Sequence, residues 1–415
     1  MSTIMAASSR EGKKLNDVVF NASGAAQEAA AKYGLDKVVN GTAGCFAGDD
    51  EQVACLPVVG ELYRALPMND FVAYAPPVGL TEYRQAIIDE TFEDQRPEGY
   101  IDAIATSSGT GAIHMAIANY SEFGDTVLVA DWRWNVYSCL CAEIGRTLTT
   151  FPLLDVTRHF NILSFEQEMA KILEKQDSLL VILNTPANNP TGFSLTYEDW
   201  EHVLNVCRQY EKLGKRISIL VDIAYIAYTG DKQEIRKFMN LFSNLPERIF
   251  VMVAYSMSKG YTLYGQRAGA LVGVSSSKAV IDEFGDVCRY SARTAWSNVN
   301  RAAMTLMAKI RADKNLVQRV DAERNHFYET IKERADLFMK EAKDCDLTIV
   351  PYHSGFFISI PTLQSPAVCD ELQRELIFGA PLALGVRLGI CSIPMKKIVG
   401  LAGKIKAAMN TVEAR

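Results

Sequence analysis

The chain has no long apolar run and no long block of like charge. None of its apolar runs approaches the roughly eighteen residues that are needed to cross a bilayer, and residues 1–14 lack the apolar stretch of a signal peptide. Its 43 basic and 49 acidic residues give a net charge of −6 without a concentrated patch. This distribution argues against a nucleic acid or a membrane surface as the partner. A small molecule is therefore the expected partner.

Histidine and cysteine are too scattered to indicate a metal site or a disulfide framework. The five histidines do not have the spacing of metal ligands. Nine cysteines, an odd number spread over a long chain, favour reduced thiols in a reducing compartment. The one close pair, Cys139 and Cys141, has the wrong spacing for a zinc knuckle and fits a helix better. We therefore predict a cytoplasmic protein with no bound metal.

The rest of the composition is that of an ordinary folded protein. Hydrophobic residues make up 48% of the chain and charged residues 22%. A length of 415 residues exceeds what one hydrophobic core usually supports, so two domains are expected.

Short apolar runs alternate regularly with amphipathic helical stretches from about residue 101 onward. This alternation predicts a mostly parallel sheet with helices on both faces. Ligands of such sheets bind at the carboxyl ends of the strands. The runs that we interpret as strands of this sheet are residues 104–106, 126–130, 179–183, 217–221, 249–253 and 269–273. The patterns also predict helices over residues 15–32, 81–92, 315–343 and 395–409, and a separate strand over residues 348–360.

The segment 253–269 carries the chemistry around which the chain is organised. Lys259 follows a β-rich run, with Ser256 three residues before it and Arg267 eight residues after it. A lysine attacks an aldehyde only when desolvation or a nearby cation lowers the pKa of its amine. Ser256 and Arg267 could hold a phosphate beside it. A lone lysine after a strand is usually a surface residue, but this spacing predicts an imine to a phosphorylated aldehyde.

The pattern Ser256-x-x-Lys259 followed by Leu-Tyr-Gly-x-Arg267 resembles the lysine signature of class I aminotransferases. These are fold type I enzymes of the aspartate and aromatic aminotransferase subgroup. The resemblance implies a Schiff base between Lys259 and pyridoxal 5'-phosphate. It also implies an α/β fold whose large domain, residues 61–315, holds a mostly parallel seven-stranded sheet flanked by helices. Residues 1–60 and 316–415 would form a smaller α/β domain.

A glycine-rich turn follows the first predicted strand. Residues 107–111 read Ser-Ser-Gly-Thr-Gly and open a predicted helix over 112–123, so backbone N–H groups and the helix dipole face the turn. Such turns are common in α/β proteins. The resemblance implies that Ser108, Gly109 and Thr110 hold the cofactor phosphate, together with Ser256 and Arg267.

Two further segments are expected to contact the cofactor ring. Residues 131–137 contain two indoles that could stack on a planar ring; the resemblance favours Trp134, with Trp132 as the alternative. Tyr137 stands where better-known members of the family have a histidine. The resemblance implies that Asn189, in the turn Asn-Pro-Thr-Gly at 189–192, bonds the phenolic oxygen of the cofactor.

A carboxylate ends the predicted strand 217–221. Asp222 is costly to bury there without a cationic partner, and the resemblance implies that the pyridinium nitrogen supplies the charge. A helix-capping aspartate is the alternative interpretation. Tyr225 is implied to bond the phenolic oxygen beside Asn189.

The resemblance also implies a set of substrate contacts. Arg387, which lies among apolar residues, would grip the α-carboxylate, and Gly44, Trp134 and Asn189 would lie near the substrate. Arg293 would bind a distal carboxylate across a dimer interface, although it could equally form a surface pair with Arg289. Tyr74, otherwise an ordinary loop tyrosine, would reach the phosphate of the other subunit. A homodimer with shared active sites is therefore expected.

The predicted reaction is transamination by a ping-pong mechanism. Its catalytic residues would be Lys259, Tyr74 and Asp222, and its substrates an aromatic or dicarboxylic amino acid and a 2-oxo acid such as 2-oxoglutarate. A C–S β-lyase, a racemase or a decarboxylase on the same fold is the alternative. A regulatory module that only binds the cofactor is a further alternative, but no basic helix-turn-helix segment precedes residue 15.

Overall fold

A seven-stranded sheet forms the centre of the computed structural model, which describes residues 4–15 and 17–415. The strands of the chain are β1 (Val39–Asn40), β2 (Tyr100–Ser107), β3 (Thr126–Ala130), β4 (Thr147–Phe151), β5 (Ser178–Asn184), β6 (Arg216–Asp222), β7 (Ile249–Ser256), β8 (Ala268–Ser275), β9 (Phe357–Pro361), β10 (Ile377–Phe378), β11 (Ala380–Leu382) and β12 (Gly385–Gly389).

The large sheet has the order β2-β8-β7-β6-β5-β3-β4. Its strands run parallel except β8, which is antiparallel to both β2 and β7. A parallel crossover needs about a dozen residues or more, and the connection between β7 and β8, residues 257–267, is shorter than that. The predicted mostly parallel seven-stranded sheet is confirmed.

Helices cover both faces of this sheet and connect most of its strands. The α-helices of the described chain, including those outside this sheet, are α1 (Val18–Tyr33), α2 (Pro57–Arg64), α3 (Met68–Val72), α4 (Thr81–Phe92), α5 (Ser108–Asn119), α6 (Val136–Glu143), α7 (Ile162–Leu173), α8 (Tyr197–Lys212), α9 (Met257–Gly260), α10 (Lys278–Ala295), α11 (Arg301–Ala312), α12 (Lys314–Asp344), α13 (Ser365–Arg374), α14 (Met395–Ile398) and α15 (Leu401–Glu413). None of the helices in the described part of the chain is long and apolar enough to cross a membrane.

The large sheet is buried on both faces, as a sheet covered by helices must be. Along β7, Val251 and Val253 belong to the hydrophobic cluster on one face, while Phe250, Met252 and Ala254 belong to the cluster on the other. All six predicted strands are present. The prediction missed β4, because its sequence Thr-Leu-Thr-Thr-Phe lies at the edge of the sheet and is only partly buried.

The first predicted helix, residues 15–32, corresponds to α1. Asp17 caps this helix by accepting hydrogen bonds from the N–H groups of Val19 (3.0 Å) and Phe20 (3.1 Å). Residue 16 of the predicted range lies outside the described residues. The long helix predicted over 315–343 is confirmed as α12.

Three other predictions were wrong in their boundaries. The helix after β2 begins at Ser108 rather than at residue 112. The segment 348–356, predicted as a strand leading into β9, is a loop, since the N–H of His353 bonds the carbonyl of Gly192 (3.0 Å) instead of a sheet partner. The helix predicted over 395–409 is broken at Gly400, whose φ of 77° ends α14 and begins α15.

A smaller antiparallel sheet, β11-β12-β9, packs against α13 and carries Arg387. The fully buried Arg334 of α12 ties this region together. Its Nη1 donates to the carbonyl oxygens of Ala47 and Cys391, both at 2.9 Å, and its Nη2 pairs with Asp49 at 3.0 Å. The loop that contains Gly44 and the end of β12 are thus held to the same helix.

Candidate active site

A cavity of about 370 Å³ lies at the carboxyl ends of the central strands β5, β6 and β7. This is the edge at which parallel sheets bind ligands. Twelve of the residues predicted for the site line it: Gly44, Ser108, Gly109, Thr110, Trp134, Asn189, Asp222, Tyr225, Ser256, Lys259, Arg267 and Arg387.

Lys259 lies in the single turn of α9 directly after β7. Its Nζ donates a 2.5 Å hydrogen bond to the carbonyl oxygen of Gly44. Burial lowers the pKa of its ammonium group; the guanidinium groups of Arg387 and Arg267 lower it further, while the thiols of Cys45 and Cys391 act in the opposite direction. The arrangement favours the neutral, nucleophilic amine.

The turn between β2 and α5 forms one end of the cavity. Ser108 adopts a left-handed conformation (φ 67°), which reverses the chain so that α5 starts at once. No side chain of the described residues caps the first turn of α5, so its N–H groups are available to an anion. A Cβ on Gly109 would lie 3.2 Å from Cβ of Ser256, so glycine at this position lets the start of α5 approach the end of β7 closely.

Ser256, Ser258 and Arg267 complete this end. The hydroxyl of Ser108 lies 3.4 Å from those of Ser256 and Ser258. Nη1 of Arg267 donates to Oγ of Ser258 at 3.2 Å and to the carbonyl of Tyr264 at 2.8 Å. Three hydroxyls, helical N–H groups and one guanidinium make a set of donors suited to a phosphate.

Asp222 lies at the end of β6 and is buried. Its Oδ2 accepts a 2.6 Å hydrogen bond from the hydroxyl of Tyr137, and its Oδ1 accepts one from the N–H of Ala224 at 3.1 Å. Burial raises the pKa of this carboxyl, although these two hydrogen bonds lower it in part. No cation neutralises Asp222 among residues 4–15 and 17–415, so a bound cationic ring nitrogen would supply the missing charge.

Arg387 and Asn189 meet on the opposite side of the cavity. Nη1 of Arg387 donates to Oδ1 of Asn189 at 3.1 Å, and Nη2 donates to the carbonyl of Thr42 at 2.8 Å. The guanidinium also packs over the ring of Phe357, 4.2 Å from its centroid. Its buried Nε has no hydrogen-bond partner in the part of the chain that the structure describes. Burial lowers the pKa of Arg387, and an anion would restore its charge balance.

The two indoles of residues 131–137 have different environments. Trp134 is half-buried and lines the cavity, with its ring 5.5 Å from the ring of Tyr137 in an edge-on contact. Trp132 is buried in the hydrophobic core and packs near Gly385 of β12. The geometry therefore favours Trp134 over Trp132 as the residue that faces a ligand.

Two predicted residues do not reach the cavity of their own chain. Tyr74 has 88% of its surface exposed, and its carbonyl accepts a hydrogen bond from Arg301 at 3.0 Å. Arg293, near the end of α10, is exposed and donates to the hydroxyl of Ser297. Neither residue is among those of the described chain that line the cavity.

Several lining residues were not identified from the sequence. Asn184 holds the site together, because its Oδ1 accepts from the N–H of Asn189 (2.7 Å) and its Nδ2 donates to the carbonyl of Asp222 (2.9 Å). Its place at the end of an apolar strand was the available signal. Arg133 and the start of α1, Val18 to Phe20, also line the cavity, and nothing in their local sequence indicated this.

These groups fit pyridoxal 5'-phosphate, the cofactor that the motifs predict. The donors around Ser108 suit its phosphate, the unneutralised Asp222 suits a protonated ring nitrogen, and Lys259 lines the same cavity. Trp134 offers an aromatic face for the ring.

Comparisons with known proteins identify the family. The family model "Aminotransferase class I and II" matches residues 36–380. An aromatic-amino-acid aminotransferase of Pseudomonas aeruginosa is 30% identical over 219 residues, which cover 52% of this chain and 52% of that protein. A tyrosine aminotransferase of Klebsiella pneumoniae is 24% identical over 384 residues, covering 89% and 93%. The alignment thus spans about half of the first relative and most of the second.

Solved structures agree with this assignment. An aminotransferase from Anaerococcus prevotii has 36% sequence identity and a TM-score of 0.95, covering 99% of this chain and 100% of that one. An aromatic-amino-acid aminotransferase from Burkholderia pseudomallei, covalently bound to pyridoxal phosphate, has 20% identity and a TM-score of 0.78, covering 96% and 99%, and supports the fold. The prediction of a fold type I, pyridoxal-phosphate-dependent aminotransferase is confirmed at the level of enzyme class. The chain belongs to the aminotransferase class I and II family.

Proposed function

We propose that the chain transfers an amino group from an aromatic or dicarboxylic amino acid to a 2-oxo acid such as 2-oxoglutarate, with pyridoxal 5'-phosphate bound at Lys259. The observation that carries the proposal is the position of the Lys259 amine. In the described part of the chain it shares one cavity with the turn at Ser108, a buried carboxylate that no cation neutralises and an arginine whose Nε has no hydrogen-bond partner. Ser108, Gly109, Thr110, Ser256 and Arg267 would hold the phosphate.

Bound there, pyridoxal 5'-phosphate supplies an aldehyde that amines capture and a ring that takes up electrons from the substrate Cα. Asp222, held by Tyr137, would keep the ring nitrogen protonated. Asn189 and Tyr225 would bond the phenolic oxygen, and Trp134 would stack on the ring.

The chain's own groups then orient the substrate and move its proton. Arg387 binds the α-carboxylate with its guanidinium, which Asn189 and Thr42 already orient. This contact directs the Cα–H bond towards Lys259. The neutral Nζ of Lys259 would act as the general base that accepts the proton from the substrate Cα, and the ammonium group so formed would then act as the general acid. Burial of the amine supports this role because it keeps the pKa low.

The proposal includes a homodimer whose partner completes each site. Tyr74 and Arg293 are exposed on a single chain, which suits residues that act in the neighbouring subunit. Tyr74 would contact the partner's phosphate, and Arg293 would contact the side chain of the partner's substrate. Gly44 lies against both Lys259 and Phe357 and leaves room for that substrate.

The proposal also includes a cellular location and a division into two domains. All nine cysteines, each within the described residues, are free thiols, which supports a cytoplasmic location. We keep the division into a large domain at 61–315 and a small domain at 1–60 and 316–415. The junction between α11 and α12 supports its second boundary.

The proposal is tested with the purified chain, pyridoxal 5'-phosphate and a panel of ¹⁵N-labelled amino donors. We expect borohydride to fix the cofactor to Lys259, as read by peptide mass spectrometry, and the label to appear in glutamate when 2-oxoglutarate is the acceptor. Lys259→Ala should abolish turnover, because no other residue that lines the cavity in the described chain supplies an amine that can also accept a proton. Lys278→Ala, at an exposed lysine paired with Asp282, is the matched control.

Unchanged turnover in Lys259→Ala would contradict the assignment of the lysine. Consumption of the donor without transfer of ¹⁵N to the acceptor would point instead to a lyase, racemase or decarboxylase.

A further inference from the structure

The cavity contains an arginine that the proposed function leaves without a role. Arg133 lies between β3 and α6, next to Trp134, and lines the cavity. The other two arginines of the cavity have proposed ligands, because Arg267 lies at the phosphate turn and Arg387 at the α-carboxylate site.

The charge of Arg133 is poorly compensated by the protein. Its Nη2 donates to Oγ of Ser138 at 3.1 Å and its Nη1 donates to the carbonyl of Asp131 at 3.4 Å, and both of these oxygens are uncharged. Its Nε is buried and has no hydrogen-bond partner among the residues that the structure describes. Within the described residues the carboxylate of Asp131 forms no ion pair with Arg133, and its Oδ1 accepts from the N–H groups of Trp132 (2.7 Å) and Leu153 (2.9 Å).

Burial lowers the pKa of Arg133, and Asp131 offsets only part of this effect. A buried guanidinium N–H without an acceptor is costly. A ligand oxygen that entered the cavity would remove this cost.

The remaining charges of the cavity leave Arg133 available. Two carboxylates of the described chain line the cavity, and both already accept hydrogen bonds. Asp17 accepts hydrogen bonds from the first N–H groups of α1, and Asp222 accepts one from the hydroxyl of Tyr137. Three arginines therefore face a ligand that, in the proposed function, brings a phosphate and an α-carboxylate. One further anionic group is needed to match the third guanidinium.

We propose that Arg133 binds the side-chain carboxylate of a dicarboxylic substrate within the same chain. This inference rests on the proposed function and specifies its substrate class. It differs from the role of Arg293, which would act from the partner subunit and which on its own chain is exposed and bonded to Ser297. The guanidinium of Arg133 is already oriented by Ser138 and Asp131, so little side-chain entropy is lost on binding.

The test compares two unreactive ligands of equal carbon number, succinate and butanoate, on the cofactor-loaded protein by calorimetry. We expect the wild type to prefer succinate and Arg133→Leu to bind it about 10- to 100-fold more weakly, as loss of a charge-assisted hydrogen bond implies. Butanoate should bind within about threefold of wild type. Arg133→Gln, which keeps polarity and length, repeats the test if the leucine variant folds poorly.

Two controls separate Arg133 from other arginines. Arg208→Leu, at an exposed arginine of α8 that bonds Asn205, should change neither ligand. Arg293→Leu tests the partner-supplied contact in parallel. The inference is overturned if succinate affinity depends on Arg293 alone, if Arg133→Leu leaves it unchanged, or if both ligands weaken equally. The last result would mean that Arg133 only fixes the loop around Trp134.

The binding measurement separates this inference from the proposed function. A chain that prefers succinate through Arg133 but transfers no ¹⁵N would refute transamination and leave the carboxylate site intact. If the protein transfers ¹⁵N but Arg133→Leu leaves its affinity for succinate unchanged, only the carboxylate site is refuted.

Discussion

The hydroxyl of Tyr137 and the carboxylate of Asp222 form a buried pair at the floor of the cavity. Their 2.6 Å hydrogen bond is one of two that favour the ionised carboxylate against the effect of burial. Burial and the adjacent carboxylate raise the pKa of Tyr137 well above its ordinary value, so the tyrosine donates over the whole working range of pH. A histidine in its place would titrate near neutral pH.

Replacement of Tyr137 by phenylalanine should weaken cofactor binding. The pKa of Asp222 would rise further, because one hydrogen bond to the ionised form is lost. We expect the dissociation constant of pyridoxal 5'-phosphate, measured by equilibrium dialysis, to rise about 10- to 100-fold. A raised pKa keeps the Asp222 carboxyl protonated up to a higher pH. As the pH is lowered, the loss of cofactor affinity should therefore begin at a higher pH in the variant than in the wild type.

Tyr120→Phe is the matched control for this prediction. The Tyr120 hydroxyl has no hydrogen-bond partner within the described chain, so its removal should leave cofactor affinity unchanged. Equal affinities for Tyr137→Phe and Tyr120→Phe would show that the bond to Asp222 does not support the cofactor.

At this scale the sequence predicted those residues whose position follows from strand ends and turns. Lys259 and Asp222 come at the ends of apolar runs, so the strand pattern predicted that they lie at one edge of the sheet, whereas Asn189 was named because its turn resembles that of a known family. Arg133 could not be predicted in this way. The feature that distinguishes Arg133 is its buried Nε, and this burial depends on how the loop packs against Ser138.

At the scale of secondary-structure elements, a buried ion cluster joins three helices behind the site. Glu90 of α4 lies 2.8 Å from Nη2 of Arg324 in α12 and 3.1 Å from Nη1 of Arg311 in α11. The hydroxyl of Tyr261, two residues after Lys259, donates to the same carboxylate at 3.3 Å. Although burial opposes ionisation, these arginines lower the pKa of Glu90.

Glu90→Gln should therefore lower the free energy of unfolding by about 3–5 kcal/mol, because it leaves buried arginines without their counter-charge. The loss is measured by urea unfolding at neutral pH. The folded-state pKa of Glu90 is lowered, so its contribution is present above the unfolded value of 4.5 and disappears as pH falls through the folded value. The difference between wild type and variant should shrink accordingly in acid.

Glu82→Gln, in the exposed first turn of the same helix, provides the comparison and should cost less than about 1 kcal/mol. If the two substitutions cost the same, the cluster does not stabilise the fold.

The elements that the sequence failed to predict share a physical cause. The strand β4 has few apolar residues because only part of an edge strand is buried, and the segment 348–356 satisfies its backbone on the turn around Gly192. Both outcomes depend on partners that are distant in the sequence. By contrast, α4 has its own helical pattern and occupies the residues over which it was predicted.

At the scale of the whole molecule, an apolar surface surrounds Tyr74. Met68 and Val72 of α3 are 71% and 70% exposed, and Phe71 and Tyr74 are also exposed. An exposed apolar group of this kind marks a contact surface, and a second copy of this chain is the partner that the proposed function requires.

Val72→Asp should dissociate the proposed dimer. A carboxylate buried in an apolar interface costs about 3 kcal/mol or more, so the dimer dissociation constant from sedimentation should rise about 100-fold or more. Amino transfer should fall with the dimer population, since Tyr74 and Arg293 would no longer reach a neighbouring site.

Val156→Asp makes the same substitution at a fully exposed loop residue and should leave the sedimentation of the protein unchanged. A dimer that survives Val72→Asp would assign this surface to something other than the subunit contact.

The short antiparallel connection between β7 and β8 has a consequence for how this protein can vary. It carries the lysine at one end and the guanidinium of Arg267 at the other, each anchored to a strand of the rigid central sheet. In the proposed function, the length of this loop therefore sets the distance between the reactive carbon of the ligand and its anionic group. Insertions and deletions among natural variants should therefore spare residues 257–267.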